Sequence, residues 1–228
     1  MTETPPVTTP EGARSGLDDL DALALLHDPV RRSLYEVVAA SGGDVGRGEA
    51  AEAAGVSRTL AGHHLDRLVE AGLLESGFRR QERKGPGSGR PAKVYRRSRG
   101  ERSVSLPPRD YPALASVLAD VVEELGAEEQ AEAAARRAGE RLARAYAGEP
   151  VERVLGARGY EPYEEGGALR LRNCPFHVLA EEQPLLVCSM NLALCQGLLG
   201  GLGDDPGRAR LDPRPGECCV ALSKTNED

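Results

Sequence analysis

A serine, a helical stripe, a glycine and a strand succeed one another without a gap between Val56 and Arg80, which reads VSRTLAGHHLDRLVEAGLLESGFRR. Ser57 is an N-cap residue, able to satisfy an orphan backbone N–H of the next turn. Leu60, Leu65, Leu68 and Val69 then recur at helical spacing, so one face is apolar and must be buried. Gly72 closes the helix, and Leu73 and Leu74 open a strand. Upstream, Asp28 precedes Pro29, an N-cap followed by proline at the first helical position. Val30, Leu34, Val37 and Val38 give that helix its buried stripe, and Gly42-Gly43 ends it. An Ala-rich helix from about Gly48 to Ala54 stops at Gly55-Val56.

Two short helices across a tight glycine turn, the second running into an apolar strand, make a helix-turn-helix. The next segment reads as a wing. Leu73 to Arg80 is one arm, Lys84 to Pro91 the Gly/Pro tip, and Ala92 to Arg97 the returning arm. From Phe78 to Arg102 there are eight Arg and two Lys against two Glu, a net charge of +8. The whole 228-residue chain carries −7, so the remainder carries −15. The total therefore excludes a uniformly basic coat but not a basic face. Aromatic residues make up only 4% and Trp is absent, so the core is built from Leu, Val and Ala. Stacking of single-stranded bases on aromatic platforms is excluded as the main activity.

The run from Val56 to Arg80, followed by GPGSGRPAKVYRR, resembles the winged helix-turn-helix domain of ArsR-like bacterial regulators over roughly Leu20 to Arg97. The resemblance implies a partner, double-stranded DNA. It implies that Arg58, Thr59, Gly62, His63 and Arg67 face the major groove, with Arg58 suited to guanine O6/N7 and Thr59 and His63 to bases or phosphates. His64, one position on, turns inward. The wing would touch phosphates through Arg79, Arg80, Arg83, Lys84 and Lys93. Gly89-Arg90-Pro91 can hold Arg90 extended in a narrow minor groove. Regulators of this kind bind two half-sites as homodimers.

The expected organisation is α+β. Residues 1–16, rich in Thr, Pro and Gly, form a disordered tail without the apolar run of a signal peptide, so the expected compartment is the cytoplasm. Residues 17–102 are the winged helix-turn-helix domain. Residues 110–148, with Leu114, Val117, Leu118, Val121, Val122 and Leu125 on one stripe, are a helical linker. It is read either as a dimer helix or as a helix packed on its own subunit. Residues 151–225 are a small α+β sensor domain. It has a hairpin around Gly166-Gly167, a short helix near Pro175, a helix from Pro184 to Leu202, and strands at Ala209–Leu211 and Cys218–Leu222. The stretch from Gln183 to Gly203 has no charged residue. Its glycines, Asn191 and acidic flanks without basic anchors suit a buried helix rather than a membrane span.

All five cysteines fall in the sensor domain. In a cytoplasmic chain they read as free thiols, metal ligands or redox groups. Cys174-Pro175 opens a helix, where a thiolate meets backbone N–H groups. Cys188 and Cys195 are seven apart, about 10 Å along one helix, too far for one mononuclear site. Cys195 is therefore a core thiol. Cys218 and Cys219 point to opposite faces of a strand. The economical set is Cys174, Cys188 and Cys218, with Cys219 as substitute and His177 as a fourth ligand. It suits an iron–sulfur cluster or, alternatively, zinc; five buried cysteines without metal is the remaining reading. The domain also resembles the C-terminal half of SufR-type iron–sulfur regulators, the match falling on Cys174, Cys188 and Cys218. That resemblance implies that cluster status is coupled to operator binding. A repressor responding to a small molecule, with structural cysteines, is the rival. No G-x-S-x-G, phosphate loop or H-E-x-x-H is present, and Cys174 with His177 is the only local pair that suggests an enzyme.

Overall fold

The computed structural model describes residues 16–79 and 91–223. The expected tail lies outside the described residues except for Gly16, which opens α1. The tip of the wing lies outside them as well. The chain divides into two compact units, residues 1–109 and 110–228. Both mix helices with antiparallel sheet, the expected α+β class.

The first unit begins with α1 (Gly16–Ala24) and a 3-10 turn (Leu25–His27). In α2 (Pro29–Ser41) the Asp28 carboxylate accepts from the Arg31 N–H at 2.9 Å, and Gly42 closes the helix in the left-handed region. A two-residue strand, β1 (Val45–Gly46), leads into α3 (Arg47–Ala53). Glu49 reaches back to accept the Gly46 N–H at 2.7 Å. Then come α4 (Arg58–Glu70), β2 (Leu74–Arg79) and β3 (Ala92–Arg97). The sheet order is β1-β3-β2, with Val45 opposite Tyr95 and Leu74 opposite Arg97. Leu34, Val38, Ala61, Leu65, Leu68, Leu74 and Tyr95 form the core. Strand β1 has no signal in the sequence, because two residues carry no alternation to read.

The second unit opens with α5 (Tyr111–Leu125) and α6 (Glu128–Ala145). It continues with α7 (Val151–Ala157), the hairpin β4 (Pro162–Glu165) and β5 (Ala168–Leu171), α8 (His177–Glu182), α9 (Pro184–Gly201), β6 (Ala209–Leu211) and β7 (Val220–Ser223). The order is β4-β5-β7-β6, antiparallel throughout. Gly166 and Gly167 both have positive φ and join the paired residues Glu165 and Ala168, the requirement of a two-residue hairpin turn.

Within the segment 110–148, read as a helical linker, α6 lies along α9 inside this unit. A Cβ at Gly139 would run into the Leu194 carbonyl, and one at Gly197 into the Arg136 carbonyl. The two backbones touch because both positions lack a side chain. By length and composition α9 could cross a membrane. In this fold eight of its residues are buried in the unit's interior. At the far side of the sheet Arg170 is also buried, donating to Glu217 at 2.7 Å and to the Asp212 carboxylate at 2.6 Å. Burial opposes its charge, but the two carboxylates outweigh that and raise its pKa.

Candidate nucleic-acid interface and thiol centre

Helix α4 is built as its sequence requires. The Ser57 hydroxyl accepts from the Leu60 N–H at 3.2 Å, and Ala61, Leu65 and Leu68 are buried beneath. The opposite face of its first two turns meets α3 in an open groove of about 440 Å³. Arg47 and Gly48 line it from α3, and Arg58, Thr59, Gly62, His63 and Asp66 from α4. Arg58, Thr59 and His63 are exposed, as expected. Gly62 is not: it is buried under the side chain of Arg47, which a Cβ at Gly62 would meet at 2.9 Å from Nε. Arg47 has no signal in the sequence, because nothing local marks it as reaching across to α4.

Two other expected contacts have partners within the unit. Arg67 is exposed but turns toward α1, lining a cleft with Asp18 and Asp21 and pairing with Glu70 at 3.2 Å. Lys93 donates to Asp66 at 2.7 Å, and Tyr95 donates to the same oxygen at 2.9 Å. Burial works against ionisation of Asp66, but these two hydrogen bonds together hold its carboxyl below the ordinary range. Lys93 thus neutralises Asp66 rather than standing free for a phosphate. Arg79 keeps an exposed, 3.4 Å pair with Glu49, weak enough to exchange for a phosphate. Arg80, Arg83, Lys84 and Arg90 lie outside the described residues. The +8 stretch is less available than its count implies. Arg96 pairs across the sheet with Glu75, and Arg102 is buried against Asp19 at 2.8 Å and the Ala71 carbonyl at 2.6 Å. His64 does turn inward; its Nδ1 accepts from Arg31 Nε at 3.3 Å.

In the second unit four cysteines gather in the core, and they are not quite the four expected. Tyr160 donates to Asn191 at 2.6 Å, and the Asn191 amide donates to Cys218 Sγ at 3.2 Å. Cys195 donates to Asn191 at 3.9 Å from the other side. Cys174 and Cys219 are both within hydrogen-bonding reach of Cys218. Contact with Cys218, and then burial, raise the Cys174 thiol well above its ordinary value. Burial pushes Cys195 up to about 12. The Cys174 contact favours the Cys218 thiolate, but Cys219 and burial outweigh it and push Cys218 up to about 11.

This group differs from the expected ligand set. Cys188 is half-buried on α9 but stands outside the core that holds the other four. His177 is half-exposed and pairs with Glu181 at 3.1 Å, away from Cys174. Among the described residues no three His, Cys, Asp or Glu side chains converge as a metal site. The set Cys174, His177, Cys188 and Cys218 therefore does not fit a single ion or cluster as these side chains stand. The Cys174 thiol is shifted upward, the reverse of the lowered pKa of an activated nucleophile.

Compared with known families, residues 25–77 match a family model described as a helix-turn-helix domain. No match to the chain was found among curated proteins or solved structures. The first unit carries a helix-turn-helix domain. The match runs from the 3-10 turn through α4, the helix with the exposed Arg58, Thr59 and His63, into β2. A helix-turn-helix of this kind supports a DNA-binding regulator.

Proposed function

We propose that the protein is a transcription regulator, not an enzyme, that binds duplex DNA as a homodimer in the cytoplasm and receives its signal at the thiols of its second unit. The observation that carries the DNA reading is the Ser57-capped helix α4, which buries Leu65 and Leu68 and presents Arg58, Thr59 and His63 in an open groove. A bidentate Arg–guanine contact discriminates by about 1–3 kcal/mol. Arg58→Ala should therefore lose binding mainly on the selected site and little on random duplex, read by fluorescence anisotropy on both. Equal losses on the two would overturn Arg58 as a base reader.

Helix α5 supports the dimer. Tyr111, Leu114, Leu118, Val121 and Leu125 alternate at three and four residues, and all are exposed. Its other side is anchored within the unit by buried Ala119 and by Asp120, which accepts from Gln183 at 2.5 Å. A second copy of α5, run antiparallel, covers the apolar seam and keeps the two clusters of Asp120, Glu123 and Glu124 apart.

For the signal, the resemblance favours an iron–sulfur cluster on Cys174, Cys188 and Cys218. That requires Cys188 to leave its present place and join the other two. Anaerobic purification with measurement of iron, sulfide and zinc tests it. Iron and sulfide in equal amounts, lost in Cys188→Ala, would support the cluster; a metal-free protein that binds DNA normally would end it. One zinc per chain would favour the structural alternative.

A further inference from the structure

We infer that Arg47 seats a DNA backbone phosphate at the groove it shares with Arg58, and that Gly62 is the position that lets Arg47 lie there. The inference rests on the DNA-binding reading above and adds a residue outside the recognition helix. Two guanidinium groups line one groove. Each lies close over a glycine of the opposite helix: Arg58 over Gly48, where a Cβ would come within 3.0 Å of it, and Arg47 over Gly62. Two like charges in one groove repel unless an anion stands between them. The one carboxylate lining the groove, Asp66, is already matched by Lys93 and Tyr95. With Asp66 paired to Lys93, the two arginines leave the groove net positive, although the Asp66 charge also reaches Arg47.

The chemistry that suits this is a phosphodiester. Guanidinium groups present planar, permanently charged donors to its oxygens. Arg47 is aimed but not consumed: its hydrogen bond to the Tyr95 hydroxyl is long, 3.5 Å. Tyr95 is fully buried, so it touches one end of the guanidinium while Arg47 itself stays exposed at the groove. Phosphate contacts position a protein on the duplex without reading sequence, so Arg47 has a different signature from Arg58.

The test uses the full chain, a fluorescein-labelled duplex obtained by in vitro site selection, and a random duplex of equal length. Arg47→Ala should weaken binding about tenfold on both duplexes alike and lower the salt slope by about 1. Gly62→Ala should do nearly the same, because its Cβ displaces Arg47, while the melting temperature holds or rises. Arg47→Lys should recover part of the affinity and the full salt slope. If wild-type protein binds and Arg58→Ala weakens it, yet Arg47→Ala keeps wild-type affinity and slope, the seat is wrong and the DNA reading stands. Loss with Arg47→Ala but none with Gly62→Ala overturns the role of the glycine. Failure of the wild type on every duplex sinks the underlying reading instead.

Discussion

His64 shows how one buried ring sets a pH limit on the first unit. Burial lowers its pKa; Asp28 pulls the other way, and Arg31, donating to Nδ1, opposes a second proton. The folded state therefore holds His64 neutral. Above the unfolded value of about 6.5 both states are neutral and its contribution is fully present. As pH falls through 6.5 toward the lower folded value, the unfolded chain takes up a proton that the folded one refuses, and stability is lost. Urea unfolding at pH 7.5 and 5.5 should show a larger drop for wild type than for His64→Gln. An equal drop in both would remove His64 from the account.

At the scale of elements, the contact between α6 and α9 organises the second unit. Helix α9 is apolar on nearly all sides, as a helix surrounded by protein must be. Its approach to α6 is set by Gly139 and Gly197, whose missing side chains let backbone meet backbone. Gly201 repeats the pattern, since a Cβ there would come within 2.6 Å of Ala143. Gly197→Ala gains helix propensity yet forces the helices apart, and overpacking of this kind costs about 1–3 kcal/mol. Guanidinium unfolding should show the second unit less stable by that amount. A gain in stability would mean that the helices are not in contact there. The displaced helix would also carry Asn191 and Cys195 away from Cys218, so a change in thiol reactivity should accompany the loss.

For the whole molecule, the acidic body and the basic face matter together. The charge outside Phe78–Arg102 sums to −15, so attraction for DNA is confined to local basic clusters such as the α3–α4 groove. The proposed dimer would raise affinity further, because a second reader on the same duplex binds at high effective concentration. Leu118→Glu places a charge at the centre of the α5 seam. Sedimentation velocity should show the wild type as a dimer and Leu118→Glu as a monomer. Binding to a two-half-site duplex should fall by tenfold or more, and binding to a single half-site should stay unchanged. A wild-type monomer at micromolar concentration would exclude α5 as a seam between copies.

The sequence alone determined the elements whose causes are local. Ser57, Asp28 and Gly72 cap or stop helices through bonds to residues within five positions, and the stripes of α2 and α4 repeat within one turn. The same local rules placed Arg58, Thr59 and His63 on the outer face of α4; its role as a reading helix came from the resemblance. Tertiary structure decided what depends on partners far along the chain. Arg47 meets a tyrosine 48 residues on, Arg102 an aspartate 83 residues back, and Lys93 an aspartate 27 residues back. No periodicity records such pairings, so the sequence does not show that Arg47 lines the groove or that Lys93 pairs with Asp66. The cysteines are illegible for the same reason. Their spacing marks a thiol centre, but which thiols meet depends on where the sheet and α9 place them. Asn191 and Cys195 on α9 pack with Cys218 in the core, whereas Cys188, on the same side of the helix but about two turns before Cys195, does not.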